Sequence, residues 1–227
     1  MKNFSLLVVA VASSIALVTE AHVSFRFPCP RRASYNECPQ PKSDSDWNLV
    51  DYDSISPVGS FNGINDPIPK HPASFPGNRP VFTAGLNVNT TYEVDAPHNG
   101  GTCQWTLSYD NGKTQVVIQD WFRNCLRDAK HGRRYTVSVK IPANAPSGPA
   151  LLTWLWNNNE GSREMYASSA DVVIQGSNGG SISGVAPAFC NYGPGSCFIA
   201  EEVVAGGNWG EVYFKNRKNI TITVPPK

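Results

Sequence analysis

Two histidines carry the most chemical information in this chain. Residues 1–21 read as a secretory leader: Lys2 at the start, an apolar run from Leu6 to Val18, and the small residue Ala21 with Thr19 two positions before it. The apolar run is too short to span a bilayer. Cleavage after Ala21 leaves His22 as the first residue, so that an α-amine and an imidazole share one residue. Such a terminus chelates a metal through the amine and ring Nδ1, and copper favours nitrogen donors in a planar arrangement. His98, in the Pro/Gly-rich segment Asp95-Ala96-Pro97-His98-Asn99-Gly100-Gly101, is the expected third nitrogen donor. In Arg163-Glu164-Met165-Tyr166 an extended backbone places Glu164 and Tyr166 on one face, a tyrosine for a weak axial position and a carboxylate close to it.

The elements that must hold these groups are short strands. Runs with strand character occur at 91–94, 103–109, 114–121, 135–141, 151–156 and 170–174. Tyr135, Val137, Val139 and Ile141 alternate with Thr136, Ser138 and Lys140, as a sheet with one wet face requires. Asp110-Asn111-Gly112 is a hairpin signal and 142–149 a Pro/Gly-rich connection. No long amphipathic helix is evident. The expectation is an all-β, antiparallel sandwich of immunoglobulin or fibronectin type III kind with long loops. Its core spans 22–175. A Gly/Ser stretch, Gly176–Gly184, then serves as a flexible connector to a disulfide-containing extension ending at residue 227 that packs back on the core.

Six cysteines in an exported chain favour three disulfides over thiol chemistry or zinc. Spacing suggests Cys29 with Cys38 and Cys190 with Cys197, leaving Cys103 and Cys125, although spacing alone leaves other connectivities open. The sequons at Asn89 and Asn219 predict glycosylation in a eukaryotic host. A net charge of +1 gives no global bias toward nucleic acid. Charge is local instead: Arg123, Arg127, Lys130, Arg133, Arg134 and Lys140 stand against Asp128, a surface suited to an acidic polysaccharide or simply to solvent. Tyr35, Trp47, Tyr52 and Trp121 are aromatics able to stack on sugar rings or to fill the core. Paired carboxylates such as Asp51 with Asp53, or Glu201 with Glu202, lie outside any recognisable hydrolytic frame.

Taken together, His22 after the leader, His98-Asn99-Gly100-Gly101-Thr102-Cys103-Gln104-Trp105, Ser108-Tyr109-Asp110-Asn111-Gly112, Ile141-Pro142-Ala143-Asn144-Ala145-Pro146-Ser147-Gly148, Trp154-Leu155-Trp156-Asn157 and Arg163-Glu164-Met165-Tyr166 resemble the copper-dependent lytic polysaccharide monooxygenases. The likeness is greatest to the pectin-active oomycete group, auxiliary activity family 17, with chitin- and cellulose-active fungal groups more distant. Where related fungal sequences carry a cysteine shortly after the tyrosine, this chain has Ser168-Ser169, so no disulfide is transferred there.

The resemblance implies a histidine brace of His22 and His98 on one copper ion, Tyr166 as the axial residue and Glu164 as the carboxylate beside the metal. It also implies an external electron donor with O2 or H2O2 as co-substrate. Attack on an unactivated C–H bond lies beyond acid and base side chains and needs a redox metal. The implied protein is a secreted monomer cleaving a plant cell-wall polysaccharide, pectic homogalacturonan first and cellulose or chitin second, without nucleic-acid or membrane partners. Two other functions use the same residues: a secreted copper-binding protein without oxygenase activity, and a carbohydrate-binding sandwich with incidental histidines.

Overall fold

The structure is a computed structural model that describes residues 22–31, 38, 56–65, 68, 79–202 and 210–227. The leader and the candidates Tyr35, Trp47, Asp51, Tyr52 and Asp53 lie outside the described residues. Among the described residues, twelve strands and one short helix follow in chain order: β1 (Val23–Phe27), β2 (Gly59–Ser60), β3 (Gly63–Ile64), β4 (Val81–Thr83), β5 (Asn87–Val94), β6 (Gly101–Ser108), β7 (Val116–Trp121), β8 (Arg133–Lys140), β9 (Gly148–Asn158), β10 (Glu164–Gln175), β11 (Gly180–Val185), α1 (Glu211–Lys215) and β12 (Asn219–Val224). One sheet runs β1-β5-β8 and the larger one β3-β2-β10-β9-β6-β7. Every pairing is antiparallel except that of β4, which lies parallel to β10. The two sheets close over a shared core, giving the expected antiparallel β-sandwich of immunoglobulin type.

The core follows from the alternation. On β8, Val137 and Val139 turn inward while Thr136, Ser138 and Lys140 remain exposed. Strands β6 and β9 are buried on both faces, as central strands are. Between the sheets runs a column of rings from β1, β5 and β9: Phe25 lies 5.3 Å from Tyr92, Tyr92 lies 4.8 Å from Trp154, and Trp154 lies 6.1 Å from Trp156. Each such pair adds about 0.5–1.5 kcal/mol beyond area burial. Tyr92 and Trp154 find polar partners, the Tyr92 hydroxyl accepting from Trp105 Nε1 at 2.7 Å and Trp154 Nε1 lying 3.3 Å from Cys103 Sγ. Burial pushes the Tyr92 phenol far above its ordinary pKa, outweighing its hydrogen bonds to Thr90 and Trp105.

The outer face of β9 and β10 presents Leu155, Met165 and Ala167, which pack with Val58, Phe189 and Tyr192. Gln104 fastens this covering segment, accepting from the Ala188 amide at 2.9 Å and donating to its carbonyl at 2.8 Å. The Gly/Ser stretch differs from its sequence reading as a flexible connector. Gly180–Gly184 belongs to β11, which pairs with β12 and contributes Ile182 to the core, opposite Ile222. Alternate small residues facing solvent hid a half-buried strand behind linker composition.

The apolar run near Val212 forms α1, and the run near Ile220 forms β12. Both sequon asparagines, Asn89 and Asn219, are exposed. Among the described residues no helix is long and apolar enough to cross a membrane.

All three disulfides form between the pairs that the spacing suggested, Cys29–Cys38, Cys103–Cys125 and Cys190–Cys197. The second closes a separation of 22 residues, a loop length that stabilises a fold by about 3 kcal/mol on chain-entropy grounds. It anchors the 122–129 loop to the start of β6, immediately after His98. At the opposite end of the sandwich, the predicted hairpin turn places Asn111 and Gly112 at φ 61° and 84°. Asp110 accepts from Ser108 Oγ and the Thr114 amide, both at 2.8 Å. Burial opposes its ionisation, but these bonds prevail and hold its pKa below the usual value.

Candidate metal centre

His98 sits in a tight turn built for a side chain that must point one way. The Gly100 amide donates to the Pro97 carbonyl at 2.7 Å, and the two central residues, His98 and Asn99, have φ of 47° and 53°. Left-handed backbone at both central positions is the pattern of a type I′ turn, which Asn tolerates and His does not favour, at a cost of about 1–2 kcal/mol. The surrounding contacts hold that strain. Asn159 Nδ2 donates to the Asn99 carbonyl at 2.9 Å and to the Arg123 carbonyl at 2.7 Å, and the Asn159 amide donates to the Gly100 carbonyl at 3.0 Å.

The imidazole is oriented from the β9–β10 turn. His98 Nδ1 lies 2.6 Å from the Glu160 carbonyl, which has no proton to give, so Nδ1 carries the hydrogen and donates it. The same carbonyl accepts from Asn158 Nδ2 at 2.8 Å, and that amide also donates to the Ser162 carbonyl at 2.8 Å. In neutral His98 the tautomer is thereby set and Nε2 carries the lone pair. Nε2 is buried and, among the described residues, has no hydrogen-bond partner. A buried polar atom without a partner normally costs 1–3 kcal/mol, and a neutral imidazole with its other nitrogen bonded to a backbone carbonyl is the usual form of a metal ligand.

Gly161 closes over the ring. A Cβ there would lie 2.8 Å from His98 Nδ1 and 3.0 Å from Cε1, and its φ of 85° already favours glycine. Gly161→Ala is therefore expected to push the imidazole off the Glu160 carbonyl. Copper affinity, read by titration calorimetry, should fall about 10- to 100-fold, the range seen when a ligand's outer partner is lost. Unchanged affinity would mean that the ring has room the structure does not show.

His22 is brought to the same end of the molecule by register. Val23 pairs with Val94, and the His22 carbonyl accepts from the Asp95 and Ala96 amides at 2.9 and 3.2 Å. The residue at the expected leader boundary thus lies against the segment that leads directly into His98. Tyr166, 2 % exposed, pairs across the sheet with Trp156; the two ring centroids are 4.9 Å apart, and Trp156 is 6.4 Å from the His98 ring. The expected sharing of a face by Glu164 and Tyr166 is realised as a hydrogen bond, the phenol donating to Glu164 Oε2 at 2.8 Å.

Arg163 points elsewhere, donating to the carbonyls of Gly161, Asn158 and Ala200 rather than to the neighbouring Glu164 carboxylate. Burial lowers its pKa, and the carboxylates of Glu201, Glu164 and Glu160 act in the opposite sense.

Sequence reasoning missed Asn158, Glu160 and Gly161, and it set Glu201 and Glu202 aside. Asn157-Asn158-Asn159-Glu160-Gly161 is a turn signal, but no residue type announces a backbone carbonyl as a histidine acceptor. Glu201 Oε1 accepts from the Gly161 amide at 2.9 Å, and Glu202 ion-pairs with Arg127 at 2.8 Å. The predicted basic cluster is divided in space. Arg127 is neutralised by Glu202 and Arg123 by Glu211, the latter at 2.5 Å, while Arg134 stands across from Glu93 and Lys140 lies at the far end of β8. Around the His98 turn itself, Glu160 and Glu202 accept from Asn99 and Glu201 accepts from the Gly161 amide. Trp121 is half-buried and packs against the core, which removes it from the sugar-stacking candidates.

These features define a β-sandwich with a prepared nitrogen donor at one end. No family model matches the chain. It is 38% identical over 166 residues to AA11 family lytic polysaccharide monooxygenase A of Aspergillus fumigatus, covering 72% of this chain and 69% of that relative. It is 27% identical over 180 residues to AA11 family lytic polysaccharide monooxygenase B of the same species, covering 73% of this chain and 39% of the relative.

Among solved structures, an AA10 lytic polysaccharide monooxygenase from Streptomyces lividans aligns with TM-score 0.43 at 11% identity, over 67% of this chain and 99% of that one. A cellulose-active polysaccharide monooxygenase from M. thermophila gives 0.44 at 13%, over 90% and 96%. At such scores these two likenesses carry no argument about the site.

The chain belongs to the AA11 family of lytic polysaccharide monooxygenases. The activity class of that family is the oxidative cleavage of polysaccharide by a monooxygenase. The relatives bear the AA11 name, so the finer likeness to auxiliary activity family 17 gives way to AA11.

Proposed function

We propose that the protein is secreted, loses residues 1–21, and would hold one copper ion through the His22 α-amine and ring and His98 Nε2, with the Tyr166 hydroxyl beside them. The observation that carries this reading is the buried His98 Nε2 without a partner, its tautomer set by the Glu160 carbonyl. Bound copper supplies the one-electron redox cycle needed to attack an unactivated C–H bond of a sugar. The chain's own residues do the rest. The His22 amine must be unprotonated to ligate, although its free pKa lies near ~7.7–8.0, so copper uptake releases a proton. Glu164, bonded to the Tyr166 hydroxyl, fixes that phenol and stands ready to hold a proton beside it. The ring column behind Tyr166 keeps water from that side of the site.

The substrate reading moves away from homogalacturonan toward an uncharged polymer, chitin or cellulose. The sequence-level case for pectin was the likeness to auxiliary activity family 17 together with the basic cluster; the relatives are AA11, and two of the cluster's six cations, Arg123 and Arg127, are paired with Glu211 and Glu202 while acidic side chains flank the His98 turn. A polyuronate would be repelled by the latter; an uncharged chain would not.

The test is mass spectrometry of products released from chitin, cellulose and homogalacturonan by the processed, copper-loaded protein with a reductant, with His98→Ala as the paired control. Oxidised oligosaccharides from chitin or cellulose, lost in the control, are expected. Oxidised galacturonides would restore pectin, and tight His98-dependent copper binding without products would leave a non-catalytic copper protein.

A further inference from the structure

We propose that Glu202, in the C-terminal extension, is a positioning residue for His98, acting through Asn99. The inference rests on the copper reading of His98 and concerns what keeps its turn in place. Asn99 Nδ2 donates to Glu202 Oε2 at 2.7 Å, across 103 positions of sequence, and to Glu160 Oε1 at 2.9 Å. Glu202 also takes both its oxygens to Arg127 Nη2, at 2.8 and 2.9 Å, and Arg127 Nε returns to the Asn99 carbonyl at 3.2 Å. Asn99, Glu202 and Arg127 therefore close a ring of hydrogen bonds on the second left-handed residue of the turn.

The extension reaches the other loop as well. The Glu202 amide donates to the Asn159 carbonyl at 2.8 Å, and Glu201 accepts from the Gly161 amide. His98 depends on both loops at once: its backbone lies in one, while its Nδ1 acceptor and the glycine against its ring lie in the other. The two adjacent glutamates staple the loops together. A turn with two non-glycine residues at positive φ persists only when its surroundings over-determine it. Glu202 is one of the groups that do so here, and its carboxylate answers the Asn99 amide and the Arg127 guanidinium together.

The test uses the mature protein beginning at His22, with calorimetric Cu(II) titration and the Cu(II) EPR spectrum as readouts, beside melting temperature. Glu202→Ala is expected to weaken Cu(II) binding about 10- to 100-fold and to change the nitrogen-coupling pattern of the spectrum. Glu202→Gln, whose amide oxygen still accepts from Asn99, is expected to recover most of the affinity. Asn99→Asp approaches the same ring from the other side. It keeps a residue tolerant of left-handed backbone but sets a carboxylate against Glu160 and Glu202, and a similar loss is expected.

A Glu202→Ala protein with a lower melting temperature but unchanged affinity and spectrum would overturn the inference, as would equal losses in the Ala and Gln variants. In the parent protein, copper binding indifferent to His98→Ala would overturn the copper reading itself, and with it this one. If Glu202→Ala does not fold, Glu202→Gln and Asn99→Asp decide between the same outcomes.

Discussion

Placing a single residue ahead of His22 in the mature protein is expected to abolish oxidative cleavage and to weaken copper binding by more than the roughly 100-fold that loss of an outer partner costs. The reason lies in one nitrogen. With a preceding residue, the His22 nitrogen is an amide, planar, uncharged and without an available lone pair, whereas cleavage makes it an amine. The His22 carbonyl is already committed to the Asp95 and Ala96 amides, so the residue cannot slide to offer another donor set without breaking β1–β5 register. The comparison to make is Gly-His22 against His22 as first residue, by Cu(II) titration and product mass spectrometry, with the melting temperature of the copper-free proteins as control. Equal copper affinity in the two would remove the terminal amine from the site.

The second large effect is on stability. Arg31 is 5 % exposed and sits just beyond Cys29, where its guanidinium meets Asp171 on β10 in fork geometry, Nε to Oδ2 at 3.0 Å and Nη2 to Oδ1 at 2.8 Å. Nη2 also donates to Asn111 Oδ1 at 2.6 Å, joining the opening loop to the predicted hairpin turn. Arg31→Ala removes the guanidinium fork from the Asp171 carboxylate, whose side chain is 8 % exposed, and breaking such a buried pair costs about 3–5 kcal/mol. For a domain of this size each kcal/mol lowers the melting temperature by about 2–4 °C, so a fall of roughly 6–20 °C is expected by circular dichroism with the disulfides intact.

Removing both charges should cost less. A paired Arg31→Met and Asp171→Asn protein is expected to recover much of the loss, because neither half of the pair is then buried without the other. A single-variant loss under about 1 kcal/mol would show the pair to be solvated. Copper binding should survive in every variant that folds, since this pair lies at the opposite end of β10 from Glu164.

The chain's local patterns determined much of this protein. Period-two alternation marked the inward residues of β8, and short runs bounded by turn residues located the six strands that build most of the two sheets. Even cysteine spacing suggested the pairs that form. His22, His98, Glu164 and Tyr166 stand out as candidates in the sequence because each is marked by residue type within a short window: a leader boundary, a Pro/Gly loop, an alternation that puts a phenol beside a carboxylate. Composition misled where it was read without its partner, as in the Gly/Ser stretch whose pairing with β12 makes it a strand, and in the basic cluster, two of whose arginines, Arg127 and Arg123, are claimed by Glu202 and Glu211.

Only the tertiary structure decided what makes His98 a prepared donor. Its tautomer is set by the Glu160 carbonyl, an acceptor every residue possesses and which therefore leaves no mark in a sequence. Its room is set by Gly161, and its turn by an asparagine held from 103 positions away. Hydrogen bonds to backbone atoms and contacts across such separations are fixed by the packing of strands. Sequence patterns report periodicity along one strand, and this site is assembled between several.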